Sequence, residues 1–143
     1  MTHNPTDRGS ISVELVILLP IFLAALGLML FAARTAQAGN AVTEIADAAA
    51  RTASLQRTPQ QAKIQAENEA RVALQNTSLV CESMSVSADV ADFTMALGAT
   101  GSVTTTVTCN VRLSDLSGVP GMPGTHTITR TGVSPIDPWR QRR

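Results

Sequence analysis

Tyrosine is absent from this 143-residue chain, and one Trp and three Phe are its whole aromatic complement. Charge is sparse and balanced, with 11 Lys and Arg against 11 Asp and Glu. A nucleic-acid surface needs a basic face and stacking rings, so these shortages exclude that class. Signatures of catalysis are missing as well. No Ser sits in a nucleophile elbow, no Gly-rich phosphate loop follows a strand, and His126 lies in a Thr-rich run with no motif to orient it. Asp89 and Asp92 fall in a predicted turn, where turn formation outweighs weak calcium binding. The chain is therefore expected to be neither an enzyme nor a cofactor carrier, and its length allows one small domain.

What the sequence does have is distributed unevenly. Residues 15–33 carry no charge, and Pro20 and Gly27 are their two interruptions. As a helix this run spans roughly 28 Å, close to the hydrocarbon thickness of a bilayer. A helix apolar on every side has no face for water, so a transmembrane helix is expected, with Pro20 and Gly27 as points of bending. A cleaved signal peptide is the competing reading, with Ala36 and Ala38 flanking a small-residue site before Gly39. Against it, the run exceeds the usual h-region, and Arg8 is the one firm positive charge of the leader. Arg8 on one side and Arg34 and Arg51 on the other leave orientation undecided by charge.

Glu14 stands at the mouth of this run, among Ile11, Val13, Leu15 and Val16. Unpaired in lipid, its carboxylate would cost a few kcal/mol, so it either snorkels to the headgroups or meets a cationic partner from another chain. It lies five positions after Gly9, in the string Arg8, Gly9, Ser10, Ile11, Ser12, Val13, Glu14. A polar leader, a Gly and a Glu at the fifth following position resemble the class III signal of type IV pilin-like proteins. With Pro20, Gly27 and the Ala-rich stretch 46–53, the pattern resembles more narrowly the TadE-like family, minor pilins or pseudopilins of tight-adherence (Flp/Tad) pilus systems. It departs at Leu15, where many relatives carry Phe. The resemblance implies cleavage between Gly9 and Ser10 by a prepilin peptidase, and assembly through Glu14 with other pilin-like subunits and Tad components. The new Ser10 ammonium and a neighbour's Glu14 would attract strongly in a low-dielectric setting.

Beyond Arg34, Val42, Ile45, Ala46, Ala49 and Ala53 recur at helical spacing, so the helix is expected to continue out of the membrane. Gly39-Asn40 is its weak point, where a bend or break is expected because Gly lowers helix stability by about 1 kcal/mol relative to Ala. A second helix is announced by Thr58 as N-cap, Pro59 in the first turn and Gln61 in a capping box. Its predicted apolar face is Ala62, Ala66, Ala70, Ala73 and Leu74, with Glu67 and Arg71 as an i,i+4 pair. Asn76-Thr77-Ser78 ends it; the triplet also fits a glycosylation acceptor, but a cap and turn is the expected role.

Alternation then replaces helical spacing. Val103, Thr105, Val107, Cys109, Val111 and Leu113 form one face of a strand, preceded by a strand carrying Met84, Val86 and Ala88 and followed by one over residues 125–133. Residues 117–124 read as loop from their Gly and Pro content. Cys81 and Cys109 are expected to form a disulfide stabilising the domain by roughly 3–4 kcal/mol. Two free thiols or a lone metal pair are the alternatives, although His3 and His126 stand at no zinc-site spacing. A disulfide would place this region outside the cytoplasm and the amino terminus inside.

The expected architecture is α+β: a long N-terminal transmembrane helix continuing into an Ala-rich helix, a second helix, then a small antiparallel sheet. Residues 1–9 would be a cytoplasmic leader, 10–57 the membrane-spanning helix and its extension, 58–136 an extracytoplasmic domain and 137–143 a basic tail. One Lys against ten Arg, with abundant Ala, suits a GC-rich bacterial genome. Two functions follow: a pilus assembly protein or minor pseudopilin of the inner membrane, or an exported or anchored disulfide-stabilised binding module unrelated to pili.

Overall fold

The apolar run and the Ala-spaced segment after it form one helix, α1 (Ser10–Ser54), 45 residues and about 68 Å long. A computed structural model describes residues 10–96 and 98–139, with side chains from residue 15 onward. Two environments divide α1. From residue 15 to 30 every side chain is exposed, whereas Ala38, Val42, Ile45, Ala46, Ala49, Ala50 and Ala53 are buried. The buried set repeats at three- and four-residue intervals, so one stripe of the helix faces the domain. Helical hydrogen bonding continues across Gly39-Asn40, contrary to the break expected there. The reason is tertiary: a Cβ on Gly39 would come within 3.0 Å of Arg130 Nη2, so glycine makes room for a sheet side chain while packing on both sides holds the helix.

Helix α2 (Pro59–Gln75) starts as its sequence dictates, with Gln61 N–H donating to Thr58 Oγ1 at 3.2 Å. Ala62, Ala66 and Ala70 are buried, and Arg71 donates to Glu67 at 2.6 Å on the outer face. Small residues facing small residues let α1 and α2 approach closely over one side of the sheet.

That sheet has three antiparallel strands in the order β1 (Ser83–Asp89), β2 (Gly101–Arg112), β3 (Thr125–Ile136). Val103, Thr105, Val107, Cys109 and Val111 of the central strand are buried beneath the helices, as their alternation requires. Met84, Val86 and Ala88 lie opposite Cys109, Val107 and Thr105 on this face. The other face is open and lined with hydroxyls: Thr108 meets Thr129 at 3.1 Å, and Asn110 bridges Ser83 and Thr127 at 2.8 and 2.6 Å. Polar groups that bond one another across strands need no covering layer, so a single helical layer suffices.

The turn expected at Asp89 and Asp92 is present, and a short helix after β2 replaces the expected end of the strand. A 3-10 turn at Ala91–Thr94 buries Phe93 between β1 and β2. Here Asp89 accepts from Ala91 N–H at 3.1 Å and Asp92 from Ser102 N–H at 2.8 Å, so both acids form the turn. After β2, Leu113 opens a helix, α3 (Leu113–Ser117), instead of prolonging the strand; Leu116 turns into the core, and Gly118 at φ 71° ends the helix in the left-handed region.

Candidate functional site

The surface that sets this molecule apart is the projecting part of α1. Leu15 is 64% and Met29 72% exposed, and no residue of the most apolar window is buried. With a mean hydropathy of 2.8 in that window, α1 is long and apolar enough to cross a membrane. Pro20 sits inside the helix, where its missing N–H and its ring remove one backbone hydrogen bond. Around Gly27 a Cβ would meet nothing within 4 Å, so the position is open on this chain's own side.

Ser10 is the first residue of α1, and the backbone of Glu14 lies in its second turn. Gly9, the side chains of Ser10 and Glu14, and the tail residues 140–143 lie outside the described residues. Trp139 lies within them, its side chain exposed and its backbone N–H donating to Asp137 Oδ1 at 3.0 Å.

At its far end α1 becomes part of the folded domain, and three contacts absent from the sequence reading make the joint. Phe31, still within the uncharged run, is half-buried against the core. Arg34, the first charged residue after that run, reaches the turn at Gly118, and its Nη1 lies 3.5 Å from the Asp115 carbonyl oxygen. Gly132 of β3 lies so close to α1 that a Cβ there would collide with the backbone of Ala46 and Asp47. An isolated glycine in a strand of Thr and Ile marks such a close approach, and that signal was available in the sequence.

Cys81 and Cys109 are joined in a disulfide with Cα atoms 5.5 Å apart, so the free-thiol and metal alternatives fall away. The bond ties the segment between α2 and β1 to the buried centre of the sheet. Among the described residues, no three His, Cys, Asp or Glu side chains gather to hold a metal ion. A cleft of about 250 Å³ opens where α1 enters the domain, between Arg34, Ala38 and Ala41 on the helix and Leu79, Val80 and Leu116 beyond it.

An apolar helix projecting from a disulfide-linked α+β domain is the class of protein these features define. Residues 9–51, from the Gly before α1 to its last turn, match the model of the TadE-like protein family. No curated protein and no solved structure matches the chain. The family match and the apolar helix together fit a pilus-associated membrane protein.

Proposed function

We propose that the chain is a single-pass protein of the bacterial inner membrane that serves a tight-adherence pilus system as an assembly protein or minor pseudopilin. Its action is helix packing and subunit assembly. The observation that carries this reading is the two-part character of α1, whose first half offers an uncovered apolar surface while its second half is the core helix of the domain. A helix built this way transmits the position of the membrane span rigidly to the domain above it.

The remaining assignments follow from the same reading. Residues 1–9 are a cytoplasmic leader, residues 10–57 the span and its extension, residues 58–136 the extracytoplasmic domain, and residues 137–143 a basic tail. The disulfide supports this orientation, since such bonds persist in oxidising compartments. A prepilin peptidase cleaves between Gly9 and Ser10, and Glu14 then pairs with the ammonium of a neighbouring subunit to set the register of packing. Pro20 and Gly27 are the positions at which the span bends to fit its neighbours.

The test is the N-terminal residue and intact mass of protein purified from the membranes of its host. A chain beginning at Ser10 is expected. A chain beginning at Gly39 would have lost the span and would overturn the proposal in favour of a secreted binding module.

A further inference from the structure

The two ends of the folded domain are distinguished by a ladder of contacts along α1. Arg34 meets Gly118, Gly39 meets Arg130, Ala46 meets Gly132, and Ser54 meets Ser134 across a 3.0 Å hydrogen bond. Rising numbers in the helix meet rising numbers in the sheet, so β3 runs away from the apolar half of α1. The segment before β3, comprising α3 and residues 118–124, therefore sits at the end from which that half projects. Val80, at the exit from α2, lines the same cleft as Arg34 and Leu116 and belongs to this end too.

The loop of this end, residues 118–124, suits neither bulk water nor a packed core, while the exposed Asp115 of α3 and the Glu82–Arg112 pair stand beside it. Residues 118–124 carry no charge, and Gly118, Gly121 and Gly124 turn the chain through positive φ of 71°, 79° and 112°. Those turns leave Val119 55%, Met122 45% and Val80 67% exposed. If residues 15–33 fill the bilayer, Arg34 marks its face, and Phe31 lies about 4.5 Å deeper. Elements that touch Arg34, joined to a core that reaches Phe31, must then lie at the level of the lipid headgroups.

We propose that this end of the domain, with Val80, Val119 and Met122 as its apolar tips, is immersed in the headgroup layer of the leaflet on the domain's own side. The occupant of the surface is thus the phospholipid of the membrane that α1 crosses, and the proposal rests on α1 being a membrane span. Immersion gives the domain a second attachment beside the helix and holds it at a defined angle to the bilayer. Arg34 then faces the phosphates, and the uncharged loop faces the boundary with the acyl chains.

The experiment uses the full chain in phosphatidylcholine–phosphatidylglycerol vesicles, with Trp139→Phe removing the native indole and one Trp introduced at Val119 or at Met122. Brominated phospholipids report depth. Leu23→Trp marks the span, and Ile64→Trp, about 16 Å up α2 from Gln75, marks the distal domain. Quenching in the Val119→Trp and Met122→Trp proteins is expected to exceed that in the Ile64→Trp protein at least about twofold, as for side chains set 5–10 Å into the headgroup boundary. Quenching equal to that of Ile64→Trp, with Leu23→Trp strongly quenched, overturns the immersion and leaves the span intact. An unquenched Leu23→Trp protein overturns the span, and the immersion falls with it.

Discussion

Gly132 and Thr105 lie opposite each other on β3 and β2, and each departs from what a well-packed sheet asks of its residues. Gly132 has no side chain because α1 passes over it so closely that a Cβ would occupy the space of the Ala46 carbonyl. Backbone cannot step aside as a flexible side chain can, so Gly132→Ala is expected to destabilise the domain by about 1–3 kcal/mol. Thermal unfolding of the detergent-solubilised protein checks this, since each kcal/mol lowers the midpoint by about 4–8 °C for a domain of this size. Thr105 is fully buried, and its hydroxyl has no hydrogen-bond partner. A buried, unbonded hydroxyl costs roughly 1–3 kcal/mol, so Thr105→Val keeps the shape, removes the penalty, and should raise the midpoint. An unchanged or lowered midpoint would show that the hydroxyl is satisfied in solution. The alternating pattern placed Thr105 on the inner face, but its lack of a partner depends on what α1 presents there and could not be read from β2 alone.

At the scale of elements, the disulfide reinforces a joint that Leu79 packing on the core and the Glu82 N–H donating to the Asn110 carbonyl at 2.7 Å also hold. Residues 76–82 connect α2 to β1 without regular structure over most of their length, and Cys81 anchors them to Cys109 beneath the helices. The separation of 28 residues corresponds to roughly 3–4 kcal/mol in the chain-entropy estimate, a large share of the stability of a small domain. Replacing both cysteines by Ala is therefore expected to lower the unfolding midpoint by well over 10 °C and to raise amide hydrogen exchange first in β1. Equal exchange in the two proteins would assign the stability of β1 to the sheet alone. The Thr58 cap, Pro59 in the first turn and the Glu67–Arg71 pair of α2 were legible because they act within one or two turns of themselves, although of the expected capping box only the Gln61 N–H to Thr58 bond forms. α3 was not legible, because five residues hold barely more than one turn and their helical form depends on Leu116 finding the core.

The whole molecule is built on one helix with two kinds of surface. Its upper half is wetted on one side and packed on the other, and its lower half is apolar all round. Under the proposed function, assembly gives the lower half a partner other than lipid, and Glu14 is the residue on which that prediction turns. Under the proposed reading, Glu14→Gln keeps the helix, eases insertion by removing a charge worth a few kcal/mol in lipid, and abolishes the pairing with a neighbour's ammonium. Pilus assembly should fail in cells making this variant while the protein still fractionates with membranes. Normal pili would assign Glu14 a passive place among the headgroups.

Periodicity decided much of this protein before any folding. The uncharged run, the Val42–Ala53 stripe, the N-cap at Thr58 and the inward face of β2 follow from spacings of 3.6 and 2.0 residues, which are properties of the local backbone. The two cysteines could be named as a pair, but their bond required the chain to bring residues 28 apart within reach. Tertiary structure alone decided that α1 stays continuous through Gly39, that β2 gives way to a helix at Leu113, and that Arg34 and Phe31 bind the apolar half of the helix to the base of the domain. Each of these depends on atoms more than 80 residues apart in sequence or on the balance between a local propensity near 1 kcal/mol and the packing of a whole face, and no window along the chain contains both sides of that balance.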